Sequence, residues 1–140
     1  MLDPRRLSPI DAVDFCGACH STSWDVRMSG KTGKATLPFP VYRLSSSKCW
    51  GLKGDARLTC TACHDPHAPL EHKLEAYDAK CLACHAGQAL SLESRQVHAC
   101  PVGKSACASC HMPKLEVPEL HHRVTDHHIR VVREKEPFPA

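Results

Sequence analysis

Large apolar side chains are scarce in this 140-residue chain: Leu, Ile, Val and Phe make up about 19% of it, under the rough 20% below which a chain struggles to collapse unaided. Aromatics do not fill the gap, with three Phe, two Trp and two Tyr. No apolar run reaches the length of about 18 residues that a membrane-spanning helix needs. The N-terminus MLDPRRLSPIDAVDF has no apolar stretch of the kind that marks a secretory signal. Charge of one sign is also lacking. A net charge of +3 and a pI near 8.4 make no case for nucleic acid or for a lipid surface as partner.

Cysteine and histidine are plentiful, at ten and eleven residues. That much cysteine implies disulfides, metal ligation or covalent cofactor attachment, and argues against an ordinary cytosolic enzyme. Eight of the ten fall into four pentads: Cys16, Cys19 and His20; Cys60, Cys63 and His64; Cys81, Cys84 and His85; Cys107, Cys110 and His111. Each reads C-x-x-C-H, the attachment pattern of c-type haem. Two thiols three apart on a helical turn share a face and can add across the two porphyrin vinyl groups, while the next residue offers an imidazole to the iron. Zinc ribbons and a disulfide scaffold are the competing readings, but neither requires the trailing histidine. The first cysteines lie 44, 21 and 26 positions apart, so a chemical unit is reused without a solenoid repeat.

Four haems leave 35 residues for each. The expected fold is therefore mostly irregular with short α-helices: a tetrahaem cytochrome c in which stacked haems form the core, and whose apoprotein is unfolded. Residues 1–140 read as a single domain of this kind, or as a fragment or processed part of a longer chain. The haem propionates and ferric cores shift the formal charge to about −1 oxidised and about −5 reduced, so the basic pI describes the apo chain alone. Each pentad is expected on a helical turn, and residues 88–98 form the best longer helix, bounded by Pro101. Residues 21–50, rich in Ser, Gly, Lys, Thr and Pro, read as a long surface loop. Residues 130–140 read as an extended tail.

His20, His64, His85 and His111 are the proximal ligands, and His67, His72, His98, His121, His122, His127 and His128 remain for the opposite axial positions. Supply exceeds need, and a bis-histidine site lowers the potential and closes the iron to substrates, as a carrier requires. His67 lies three residues after His64, too near to cross to that haem's far side, and so serves another haem. His121 and His127 are six apart and share a face of an extended chain; His122 and His128 form the equivalent pair. His98 and His72 compete for the fourth place, with Met28 a lesser candidate and Met112 read as packing. Cys49 and Cys100, outside all pentads, are expected to form a disulfide in an oxidising compartment.

Residues 60–67 (CTACHDPH), 77–85 (YDAKCLACH) and 107–130 (CASCHMPK, then His121, Thr125, Asp126 and His127, then Ile129 and Arg130) resemble bacterial multihaem c-type cytochromes, including forms fused to tetratricopeptide repeats. The resemblance covers about the last 80 residues well and the first 50 weakly. It implies that His67, His121 and His127 are distal ligands and that the protein relays electrons. The doubled histidines at 122 and 128 depart from that pattern. Relatives of this type carry further haems upstream, and haem is attached outside the inner membrane, so the resemblance implies a periplasmic or extracellular location, with processing, truncation or recombinant expression accounting for the start of the chain.

The function expected is electron transfer through four haem c groups, with other cytochromes as donor and acceptor and no substrate chemistry. One variant has subunits polymerise into a conducting filament. The alternative is a multihaem reductase or oxidase acting on a small nitrogen or sulfur compound. It would need an open iron and a substrate pocket, for which 140 residues leave little protein.

Overall fold

Proline at a first helical position and an oxygen-bearing N-cap begin the first helix, α1 (Pro9–His20), where the Ser8 hydroxyl accepts the Asp11 backbone N–H at 3.2 Å. The computed structural model describes residues 2–51, 56–86, 100–133, 135 and 138. Helix α2 (Ser23–Met28) starts with a reciprocal cap: Thr22 Oγ1 accepts the Asp25 N–H at 3.1 Å, and the Asp25 carboxylate accepts the Thr22 N–H at 2.8 Å. Pro40 opens α3 (Pro40–Ser45). Single-turn α4 (Cys60–Cys63), longer α5 (Leu74–His85) and short α6 (Cys107–His111) follow.

The chain then turns back as a hairpin of β1 (Lys114–Val117) and β2 (His122–Thr125), antiparallel with Lys114 opposite Thr125 and Val117 opposite His122. The turn passes through a 3-10 stretch, Pro118–Leu120, and a left-handed His121 at φ 53°, a region that histidine tolerates better than most residues.

Residues 21–50 are not a surface loop. They carry α2, a 3-10 turn at Gly33–Thr36 and α3, and they supply most of the buried interior: Val26, Thr36, Leu37, Val41, Arg43, Leu44, Ser47 and Trp50. Six-residue helices are too short to display an apolar period, and they persist because they pack. Val13 of α1, Val41 and Leu44 of α3, and Trp50 form the central cluster, with Cys16 and Ile129 against it. The tail returns to the interior, where the Phe138 ring lies under the Arg43 guanidinium, 4.7 Å from its carbon. The helix expected over residues 88–98 lies outside the described residues.

The chain by itself exposes 10076 Å², against about 7,200 Å² for a compact monomer of its mass. Phe15, Trp24 and Met28 are each half or more exposed. Among the described residues, no helix is long and apolar enough to cross a membrane.

Candidate functional site

All four pentads lie at helices. Cys16, Cys19 and His20 end α1; Cys60 and Cys63 make α4, with His64 as its C-cap; Cys81, Cys84 and His85 end α5; Cys107, Cys110 and His111 make α6. Gly17 of the first pentad is there for space: a Cβ would meet Thr22 Cγ2 at 2.8 Å.

The helices that carry the pentads touch in chain order, α1 with α4, α4 with α5 and α5 with α6. Their leading cysteines pair accordingly. Burial pushes the Cys60 thiol up to about 12, with the neighbouring Cys16 thiol adding to it. Burial likewise pushes Cys107 up to about 11, with Asp78 and then Cys81 beside it. The Asp78 carboxylate of α5 accepts the backbone N–H groups of Ala106 and Cys107 at 2.7 and 2.8 Å, holding the start of α6.

The His64 and His127 rings lie with centres 6.3 Å apart and planes tilted by 39°. Two imidazoles bound to one metal ion from opposite sides, with metal–nitrogen bonds of about 2.0 Å, have ring centres about 6 Å apart, and both planes can rotate about the shared axis. The His127 Nδ1–H donates to the Thr125 carbonyl at 3.1 Å, which leaves Nε2 as the basic nitrogen. Burial and then the His20 charge lower the His64 value. Burial also lowers that of His127, overriding the opposing Thr125 carbonyl, and the His64 charge adds to the lowering. In both rings burial therefore favours the neutral form, the form that binds metal. Tyr77 of α5 meets His64 edge-on at 5.9 Å, and its hydroxyl donates to the Glu71 carbonyl at 2.8 Å.

His111 is oriented in the same manner, its Nδ1–H donating to the Arg130 carbonyl at 2.9 Å while the Arg130 N–H donates to the His111 carbonyl at 3.2 Å. His20 and His85 are exposed at their helix ends. His67 is exposed in an Asx turn, its backbone N–H donating to Asp65 Oδ1 at 3.0 Å, beside a cleft lined by residues 2–5. His121 is exposed at the hairpin turn, so residues 121–127 are not uniformly extended and the argument that places 121 and 127 on one face fails at its first residue. His72, His122 and Met28 are exposed, Met112 is half-buried, and His98 lies outside the described residues.

The Cys49–Cys100 bridge is not present. Cys49 is half-buried within electrostatic reach of Cys84, Cys63 and Cys81, whereas Cys100 is exposed and its thiol value is lowered by the backbone N–H groups of Val102 and Gly103. Among the described residues, no three or more His, Cys, Asp and Glu side chains converge as they would around a bare metal ion.

Sequence reasoning missed Arg43 and Asp126 as a pair. The fully buried Asp126 accepts from Arg43 Nε and Nη2 at 2.9 and 3.0 Å. Burial alone would raise the Asp126 carboxyl; the hydrogen bonds from Arg43 and the His128 backbone, with the Arg43 charge and the Arg130 hydrogen bond, hold it below its usual range. A lone Arg 83 residues upstream of its partner gives no local signal. No family model matches the chain, and neither a curated protein nor a solved structure matches it.

Proposed function

We propose that this chain is a tetrahaem c-type cytochrome that relays electrons and performs no chemistry on a substrate. The observation that carries the reading is the His64–His127 pair, two imidazoles with centres 6.3 Å apart, the spacing that one intervening iron requires. One of them belongs to a C-x-x-C-H pentad and the other lies 63 positions downstream.

In each of the four pentads the two cysteines would hold a haem by thioether bonds, and the histidine would offer an imidazole to its iron. Haem iron, when bound, supplies a one-electron ferric–ferrous couple. His127 would be the second histidine ligand at the second pentad, and His67, His121 and either His98 or His72 are the further distal candidates. The thin aliphatic core and the large exposed surface fit a chain whose interior is completed by porphyrins. The contact order of the attachment helices supports a linear array running from the first pentad to the fourth.

Such a chain would take one electron from a donor cytochrome at one end and pass it to an acceptor cytochrome at the other, with no bond made or broken. A periplasmic or extracellular setting follows from covalent haem attachment. The exposed His67 and His121 favour one variant, in which a distal ligand serves a second copy and builds a filament.

Intact mass of the denatured, purified protein, read with low-temperature EPR of its ferric form, tests the proposal. Four covalently retained haems in low-spin bis-histidine sites are expected. Bound zinc, fewer haems, or rapid turnover of nitrite or hydroxylamine at a high-spin haem would overturn it.

A further inference from the structure

We propose that Asp126, gripped by Arg43 and Arg130, is the positioning residue for the axial ligand His127. The inference rests on the haem reading above and concerns this chain's own residues around that site.

His127 comes from the segment after β2, with no helix or strand of its own to set its direction. What fixes it is the residue before it. Asp126 is fully buried. Its two carboxylate oxygens take the forked Nε and Nη2 donors of Arg43, itself 1% exposed, at 2.9 and 3.0 Å. Arg130 Nη1 donates to Oδ2, and the His128 backbone N–H donates to Oδ1 at 2.9 Å. The Asp126 N–H donates to the Pro113 carbonyl at 3.0 Å. The peptide leading into His127 is thereby held from the side chain and from the main chain at once.

The residues that follow are held too. The buried Ser47 hydroxyl accepts the Ile129 N–H at 2.9 Å and lies 3.4 Å from the His127 carbonyl, to which it donates. Arg130 Nη1 also donates to the His128 carbonyl at 3.0 Å. Segment 126–130 is clamped between α3 and the fourth attachment helix, and His127 is the ring this clamp presents to His64.

A buried ion pair is a poor source of stability, because apolar residues of equal volume serve as well. A bidentate guanidinium–carboxylate fork is, however, a good source of direction, since both partners are planar and two parallel bonds fix their relative orientation. Arg43 to Lys would keep the charge and lose the fork. The hold on His127 runs through the backbone on either side of the ligand.

The test uses the full-length holoprotein, read by ferric low-temperature EPR and by intact mass. Asp126→Asn should retain four haems and convert one of the four from low to high spin, and added imidazole should restore the low-spin signal. His127→Ala should give the same signal, and Asp126→Asn in that background should add nothing. Arg43→Lys should give a partial conversion of the same haem, and it serves as the deciding variant where Asp126→Asn does not fold. Asp126→Asn, or in its place Arg43→Lys, with four haems all low-spin would overturn the inference. So would a high-spin signal that survives imidazole, or one that adds to that of His127→Ala. If His127→Ala itself leaves every haem low-spin, the axial assignment fails, and a protein without covalent haem fails the functional reading instead.

Discussion

Asp78 accepts the backbone N–H of Cys107 at 2.8 Å, so a carboxylate three residues before the third pentad caps the helix that carries the fourth. The same side chain takes the Ala106 N–H at 2.7 Å, where Ala106 is in the left-handed region at φ 54°. Helices α5 and α6 are joined through this one group as well as through packing.

Asp78→Asn leaves one acceptor oxygen for two N–H donors, so it should loosen α6 against α5 while all four haems stay attached. The expected result is a lower denaturation midpoint with spectral change at the haem on Cys107 and Cys110; an unaltered midpoint would count against the cap. The hydrogen bond from Cys107 holds the Asp78 carboxyl below its ordinary 3.8, with Ala106 adding and burial opposing. Its contribution is complete above the unfolded carboxyl value near 3.9 and is lost as pH falls through the lower folded value. The Asn variant should therefore lack this part of the acid-induced destabilisation.

Removing both thiols of any one pentad, for example Cys60 and Cys63 to Ala, should lower the intact mass by one haem and leave the others bound. Mass spectrometry of the denatured variants checks it, because thioether links survive unfolding.

Within the doubled histidines, His127→Ala should convert one of the four ferric haems to high spin. His128→Ala should convert none, because His127 is the residue whose ring opposes His64. A reversed pattern in the EPR spectra would reassign the ligand.

Gly17→Ala places a methyl group against the Thr22 side chain and, at 3.1 Å, its Cα, and should cost about 1–3 kcal/mol. Gly17→Ala with Thr22→Ser, which removes Cγ2 and keeps the capping hydroxyl, should recover most of that loss in a thermal melt.

Thiol labelling of the native protein should mark Cys100 early, through its exposure and lowered thiol value, and Cys49 only after unfolding. Failure to label either one without reductant would restore the disulfide pairing.

The helical setting of the four pentads was legible because two cysteines three apart on one face is a helical requirement stated in five residues. The interior was harder to read. Its parts are α2, a 3-10 turn and α3, each shorter than two turns, and composition alone made their Ser, Thr, Pro and Lys look like a loop. Thr22 with Asp25, and Pro40 after Phe39, were the signals that could have located those helices. His127 could be shortlisted from spacing, yet its selection over His128 depends on Asp126 meeting Arg43 across 83 positions, a contact that no local pattern announces. The shared-face argument for His121 and His127 fails for a related reason, since a left-handed turn residue breaks the alternation that extended spacing assumes.

The chain between His64 and His127 is 62 residues long, so an axial bond at His127 would also be a staple. By chain-entropy reasoning, closing a loop of that length is worth about 4 kcal/mol, comparable to a disulfide, yet it can be undone by a competing ligand without any redox exchange.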